Sequence, residues 1–208
     1  MSSFLKILKN AFVLTIVLLV LCSVIYPLAL TGVSQVAFNN KANGSLIEVD
    51  GKIVGSELIG QNFTDERFFK SRISSINYNT YTKEDLESGA YGGVASGSYN
   101  YGTTNINLHE RVQNDIEEFL VAHPDVEKED IPADLLTASG SGLDPHISPN
   151  SAKIQVSSIS KATGLTVDQL EEIIEKNTEH KVLGLFGEEV VNVLKANLDI
   201  ARLIKVIN

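Results

Sequence analysis

Apolar residues are concentrated near the start of the chain. After Lys9 no charged residue occurs until Lys41, and within that gap residues 11–30 read AFVLTIVLLVLCSVIYPLAL. Twenty helical residues at about 1.5 Å each reach about 30 Å, the thickness of a bilayer's hydrocarbon core. Thr15, Ser23 and the Tyr26 hydroxyl are tolerable in such a helix, and Pro27 sits near its far end, where water can satisfy the freed carbonyl. A cleaved signal peptide would use Lys6 and Lys9 as its basic start. The run is longer than a signal core, however, and no A-x-A site follows. A lipoprotein would use Cys22, but large Leu21 stands where a small residue is needed. The pattern favours an uncleaved anchor: residues 1–10 cytoplasmic by the positive-inside rule, 11–30 across the membrane, and 31–208 an external domain.

Beyond the anchor the periodicity changes several times. Ser45 to Leu58 holds two alternating runs around Asp50-Gly51, the signature of a β-hairpin with a type I′ turn. Residues 72–105 are a polar loop region with five of the six tyrosines, and one helical turn is expected around Lys83 to Glu87. Ile106, Val112, Ile116, Phe119 and Leu120 recur at helical spacing until Pro124. A short helical stretch follows Pro132. Ser148-Pro149 opens a helix expected to run to about Ala162, where Gly164 stops it. Thr166-Val-Asp-Gln169 is a capping box ahead of Leu170, Ile173 and Ile174. Val193, Ala196, Ile200, Leu203, Ile204 and Ile207 fall on one final helical stripe. The expected fold class is an α+β external domain with a small antiparallel sheet and several helices, preceded by one N-terminal transmembrane helix.

Charge narrows the partners. The chain carries 17 Lys+Arg against 26 Asp+Glu, a net −9. Lys6 and Lys9 belong to the short cytoplasmic side, so the part beyond residue 30 carries −11. A nucleic-acid binder would show a basic footprint instead. A lone cysteine excludes an internal disulfide framework and any Cys-rich zinc site. The four histidines, His109, His123, His146 and His180, show no metal-ligand spacing, and no metal site is assigned.

The densest motif is Thr137 to Asn150, TASGSGLDPHISPN. A Gly/Ser loop feeding a helix start exposes backbone N–H groups that suit anions or a partner's carbonyls; the plainer reading is a complicated turn and cap. It is not a P-loop, because GK[ST] is absent. It is not a nucleophile elbow either, since Ser139 stands where G-x-S-x-G needs Gly. An anchored enzyme would use Ser141 and His146 as nominal nucleophile and base, but no acidic orienter is evident. No catalytic, metal or cofactor-binding residue is assigned. Ser139, Gly140, Ser141, Gly142, Asp144 and His146 are candidates for partner docking or for fixing the fold.

Taken together, these residues resemble the C subunit of the Kdp high-affinity potassium-transporting ATPase. The matching positions run from Tyr26-Pro27-Leu28 through Asn43-Gly-Ser-Leu-Ile47, Leu58-Ile-Gly-Gln-Asn-Phe63, Arg67, Phe69 and Arg72. Ala138 to Ser148 looks like the family's signature, and Gln155, Gly184-Leu-Phe-Gly-Glu188 and Val191-Asn-Val-Leu194 complete it. Ile73 and Ser98-Tyr99 depart from the pattern. The resemblance adds Gln155 to the docking or fold-critical candidates. It implies a non-catalytic subunit of a four-part pump, with a potassium-conducting channel-like subunit, a P-type ATPase subunit and a small single-span subunit as partners. K⁺ and Mg-ATP would be used by the complex. The family's C subunit is implied to support assembly and to raise the ATPase subunit's affinity for nucleotide. This chain has neither a DKTG phosphorylation motif nor a P-loop, so any such effect is expected to be indirect. The alternative is a single-span, extracytoplasmic binding module not tied to a pump.

Overall fold

A computed structural model describes residues 2–207. It divides into two units, one up to Leu46 and one from Ile47 onward.

The first unit is essentially one helix. α1 (Ser2–Val20) passes through a π-helical turn at Leu21–Ile25 into α2 (Tyr26–Ala37), and a short α3 (Asn39–Ala42) follows. The π turn has a cause in the sequence. Pro27 has no N–H to give the carbonyl four residues back and its ring crowds that carbonyl, so the ladder shifts register just before it. Tyr26 N–H accordingly bonds the Leu21 carbonyl, five residues back. The helix therefore continues past Pro27 and beyond both ends of the apolar 11–30 segment. Its Ser3–Ala37 stretch has a mean hydropathy of 2.7 in its most apolar window and is long enough to cross a membrane.

In the second unit, β1 (Leu46–Val49) and β2 (Lys52–Ser56) form the expected hairpin. Asp50 and Gly51 both take positive φ, 51° and 74°, as a type I′ turn requires. α4 (Lys83–Ser88) is the helical turn in the tyrosine-rich region, capped reciprocally by Thr82 and Asp85. α5 (Ile106–Ala122), α6 (Ala133–Leu136) and the Thr166–Gln169 capping box at the start of the helix Val167–Lys176 also match the sequence pattern.

Two features differ from expectation. The single helix after Ser148 is two: α7 (Pro149–Lys153) and α8 (Val156–Thr163), ended by left-handed Gly164. Between them Gln155 N–H bonds the Ala152 carbonyl, a tighter turn, and its side chain turns inward with no exposed area. The second difference is a three-stranded antiparallel sheet with order β3-β5-β4. Its strands are β3 (His146–Ile147), β4 (Thr178–Glu179), which follows α9 (Val167–Lys176), and β5 (Val190–Asn192), which leads into α10 (Val193–Leu203). The last stripe is correspondingly shorter: α10 buries Val193, Ala196 and Ile200, while Leu203 is exposed and Ile207 lies past the helix.

The core lies where α5, α7, α8, α9 and α10 meet this sheet, around Ile116, Ile147, Ile159, Leu170, Val191 and Ile200. Phe69, from a segment without regular structure, is fully buried in it. Burying a Phe side chain contributes about 1.5–3 kcal/mol. That helps hold an irregular stretch whose backbone must find its hydrogen bonds elsewhere.

Candidate functional site

Those hydrogen bonds come from the core elements, and they define the role of the Thr137–Asn150 loop. The irregular strap 58–78 is held from two sides. From the helices, the Asn197 amide clamps Phe69, accepting from its N–H at 2.8 Å and donating to its carbonyl at 3.0 Å. Gln155 accepts from Lys70 N–H at 2.8 Å and donates to Ser151 O at 2.9 Å. Both amides are nearly or wholly buried.

From the other side the loop itself grips the strap. Ser139 N–H bonds the Ile73 carbonyl, Gly60 N–H bonds the Leu143 carbonyl, and Ser74 Oγ donates to the Gly142 carbonyl. Arg72 pairs with Asp144 at 2.9 Å and donates to Thr137 Oγ1 at 3.3 Å. The Tyr78 hydroxyl donates to the Arg72 carbonyl, and burial pushes that phenol up to about 12. Gly60 has to be glycine, because a Cβ would lie 2.4 Å from the Asp144 carbonyl oxygen. Gly142 is equally constrained, at φ 68° with a Cβ position 2.7 Å from Ile76 and 2.9 Å from the Gly97 carbonyl.

The loop's second half links strap, sheet and helices. Asp144 accepts from His146 N–H at 3.0 Å, an Asx turn that starts β3. The Pro145 carbonyl accepts from Val193 N–H at the head of α10. The His146 ring lies 3.8 Å from Glu179 and 3.5 Å from the Asn192 amide. Asn192 itself caps α10 through Lys195 N–H and donates to the Glu57 carbonyl. At the helix start the N–H groups of Ser148 and Ser151 are already taken by side chains. Ser148 accepts from Ser151 N–H, and the Asp134 carboxylate accepts from Ser148 N–H at 2.8 Å and from the Ser151 hydroxyl at 2.6 Å.

Of the sequence candidates, Ser139, Gly142, Asp144 and His146 therefore meet in one scaffold, and Gln155 grips the same strap farther along. Gly140 and Ser141 differ from these in being exposed. Ser141 Oγ accepts from Leu143 N–H, and its carbonyl accepts from Gly97 N–H. Among the described residues no hydrogen bond joins Ser141 to His146, so they do not form a nucleophile–base pair. Among the described residues no group of three or more His, Cys, Asp or Glu is placed to hold a metal. Sequence reasoning missed the clamping roles of Arg72, Asn192 and Asn197. The Asn-x-x-Lys start of α10 was a readable cap signal for Asn192, whereas the other two act across long chain separations.

Fold and site together define a class: a module with one long apolar helix and an α+β domain whose Thr137–Asn150 motif is tied by hydrogen bonds to the 58–78 strap and to the head of α10. The particular family is also shown. Residues 8–202 match the model of the K⁺-transporting ATPase c chain, KdpC, and the chain belongs to that family. It is 61% identical over 207 residues to the potassium-transporting ATPase KdpC subunit of Clostridioides difficile, covering 97% of this chain and all of that one. The Clostridium kluyveri KdpC subunit is 60% identical over 202 residues, covering 97% of this chain and 96% of that protein. The subunit of Caldanaerobacter subterraneus is 45% identical over 197 residues, covering 95% of each.

Proposed function

We propose that this chain is the anchored accessory subunit of an ATP-driven potassium uptake pump, with residues 1–10 cytoplasmic and the α+β domain outside. The observation that carries this reading is the family match over residues 8–202. The apolar Ser3–Ala37 helix supports it. The helix packs against the membrane subunits of the pump while the domain docks over the potassium entrance and stabilises the assembly. Its partners are the channel-like subunit, the P-type ATPase subunit and the small single-span subunit, together with membrane lipid. K⁺ and Mg-ATP are handled by the complex, and any influence on nucleotide affinity travels through subunit packing.

The scaffold residues fix the domain's shape, and its acidic surface raises local K⁺ modestly, within the 8–10 Å reach that salt screening allows. Two measurements test this. With Cys22 replaced by Ser, Gln113→Cys should react with a membrane-impermeant maleimide in intact cells, while Ser3→Cys reacts only after permeabilisation; the reverse pattern overturns the orientation. Neutralising Glu171, Glu172, Glu188 and Glu189 to Gln should raise the pump's apparent KM for K⁺ at low ionic strength. An unchanged KM would remove the electrostatic role.

A further inference from the structure

Residues 180–189 join β4 to β5 and place four large apolar side chains in solvent: Val182, Leu183, Leu185 and Phe186 are 66%, 84%, 78% and 65% exposed. This is a built loop. Val182 and Phe186 exchange both backbone hydrogen bonds, at 2.9 and 3.0 Å, closing a bridge across the tip. At its base Lys181 lies 3.4 Å from Glu188, and His180 bonds Glu189 at 3.0 Å with Glu175 3.7 Å away.

Stability of the free domain does not account for the residues at this tip. Holding apolar area in water forgoes about 25 cal/mol per Å² that burial would return. Leu183 also sits at φ 55°, the left-handed region that Gly or Asn enters at less cost. A clustered apolar patch with a polar rim marks an interaction surface. The rim selects the partner. Glu175, Glu179, Glu188 and Glu189 outnumber Lys181 and His180 there. An acidic rim opposes an anionic lipid surface, and two such tips would repel each other.

We propose that the Val182–Phe186 tip is a docking plug that seats in an apolar, basic-rimmed cleft on the extracytoplasmic face of another subunit of the same pump. The proposal rests on the subunit reading above. The test uses the full chain co-expressed with the other pump subunits and purified in mild detergent through a tag on the ATPase subunit. The triple variant Leu183→Asn, Leu185→Ser, Phe186→Ser should melt no lower than the wild-type chain, since the tip is exposed and Asn suits the left-handed position. It should nevertheless leave the complex at least about tenfold faster on dilution. Phe186 replaced by a benzophenone amino acid should cross-link to a larger pump subunit. Cross-linking only to a second copy of this chain or to lipid overturns the proposal, as does a triple variant retained as tightly as wild type. If the wild-type chain itself fails to co-purify, the subunit reading falls and the plug with it. If it co-purifies and the variant holds equally well, only the plug falls.

Discussion

His123 should make the domain acid-sensitive. It follows α5, is only 5% exposed, lies with its ring 4.3 Å from that of Phe119, and neither ring nitrogen has a hydrogen-bond partner among the described residues. Burial, reinforced by nearby Lys70, lowers its pKa from 6.5 to about 4. The unfolded ring takes a proton near 6.5 and the folded ring only near about 4, so acidification through this window favours the unfolded chain. Stability from this residue is complete above 6.5 and lost as the pH falls toward 4. Between pH 7.5 and 5 the linkage amounts to at most about 2 kcal/mol. His180 works in the opposite direction, because its hydrogen bond to Glu189 raises its pKa, but it is exposed and contributes little. The chain has no Trp, so urea unfolding of the full chain in detergent is best followed by circular dichroism at the two pH values. His123→Leu should remove most of the difference, since it deletes the titrating group and both unpartnered nitrogens while keeping an apolar filler. If His123→Leu keeps the wild-type pH dependence, or if the His123 ring titrates above pH 6 by NMR, the reasoning is refuted.

The two loop glycines should separate cleanly in urea midpoints. Gly142→Ala, strained at positive φ and pressed against Ile76 and the Gly97 carbonyl, should cost about 1–3 kcal/mol. Gly140→Ala, whose Cβ meets nothing within 4 Å, should stay within about 0.5 kcal/mol. A drop in pump-complex yield for Gly140→Val would therefore report docking, and normal yield would confine the loop to scaffolding. Asp144→Ala strips Arg72 of its carboxylate partner and His146 N–H of its acceptor; a loss of about 1–3 kcal/mol is expected from thermal melts, with little change refuting the clamp. Gln155→Leu strands Lys70 N–H and the Ser151 carbonyl, a loss of about 2–4 kcal/mol, and hydrogen exchange should show Lys70 N–H deprotected in that variant.

What the sequence reveals and what it hides follow from the range of the forces involved. The Asp50-Gly51 hairpin, the Thr166–Gln169 box and the Gly164 stop are local, each set by residues within a turn or two, and each is where the pattern puts it, while the apolar helix is present but runs past both ends of the 11–30 segment. The three-stranded sheet is different. Strands of two or three residues carry no alternation to read, and they pair because the loop and α10 bring Ile147 and Val191 together. The helix break at Gln155 is also non-local, since its side chain serves the backbone of Lys70, 85 residues away. For the same reason the sequence shows that the Thr137–Asn150 motif is special without showing how. Gly140 and Gly142 look alike in the string, and only the approach of Ile76 and Gly97 distinguishes a constrained glycine from a free one. Asp144 and His146 read equally well as turn formers or as chemistry until Arg72, Asn192 and Glu179 are seen around them.

The central claim is that this chain works as a subunit of a potassium pump. The direct measurement is affinity purification of the tagged chain, in mild detergent, from its native host starved of potassium. Two larger membrane proteins should co-purify, and the eluate should hydrolyse ATP in a K⁺-stimulated manner. Recovery of the chain alone from cells that express those subunits would contradict the account and make it an anchored binding module.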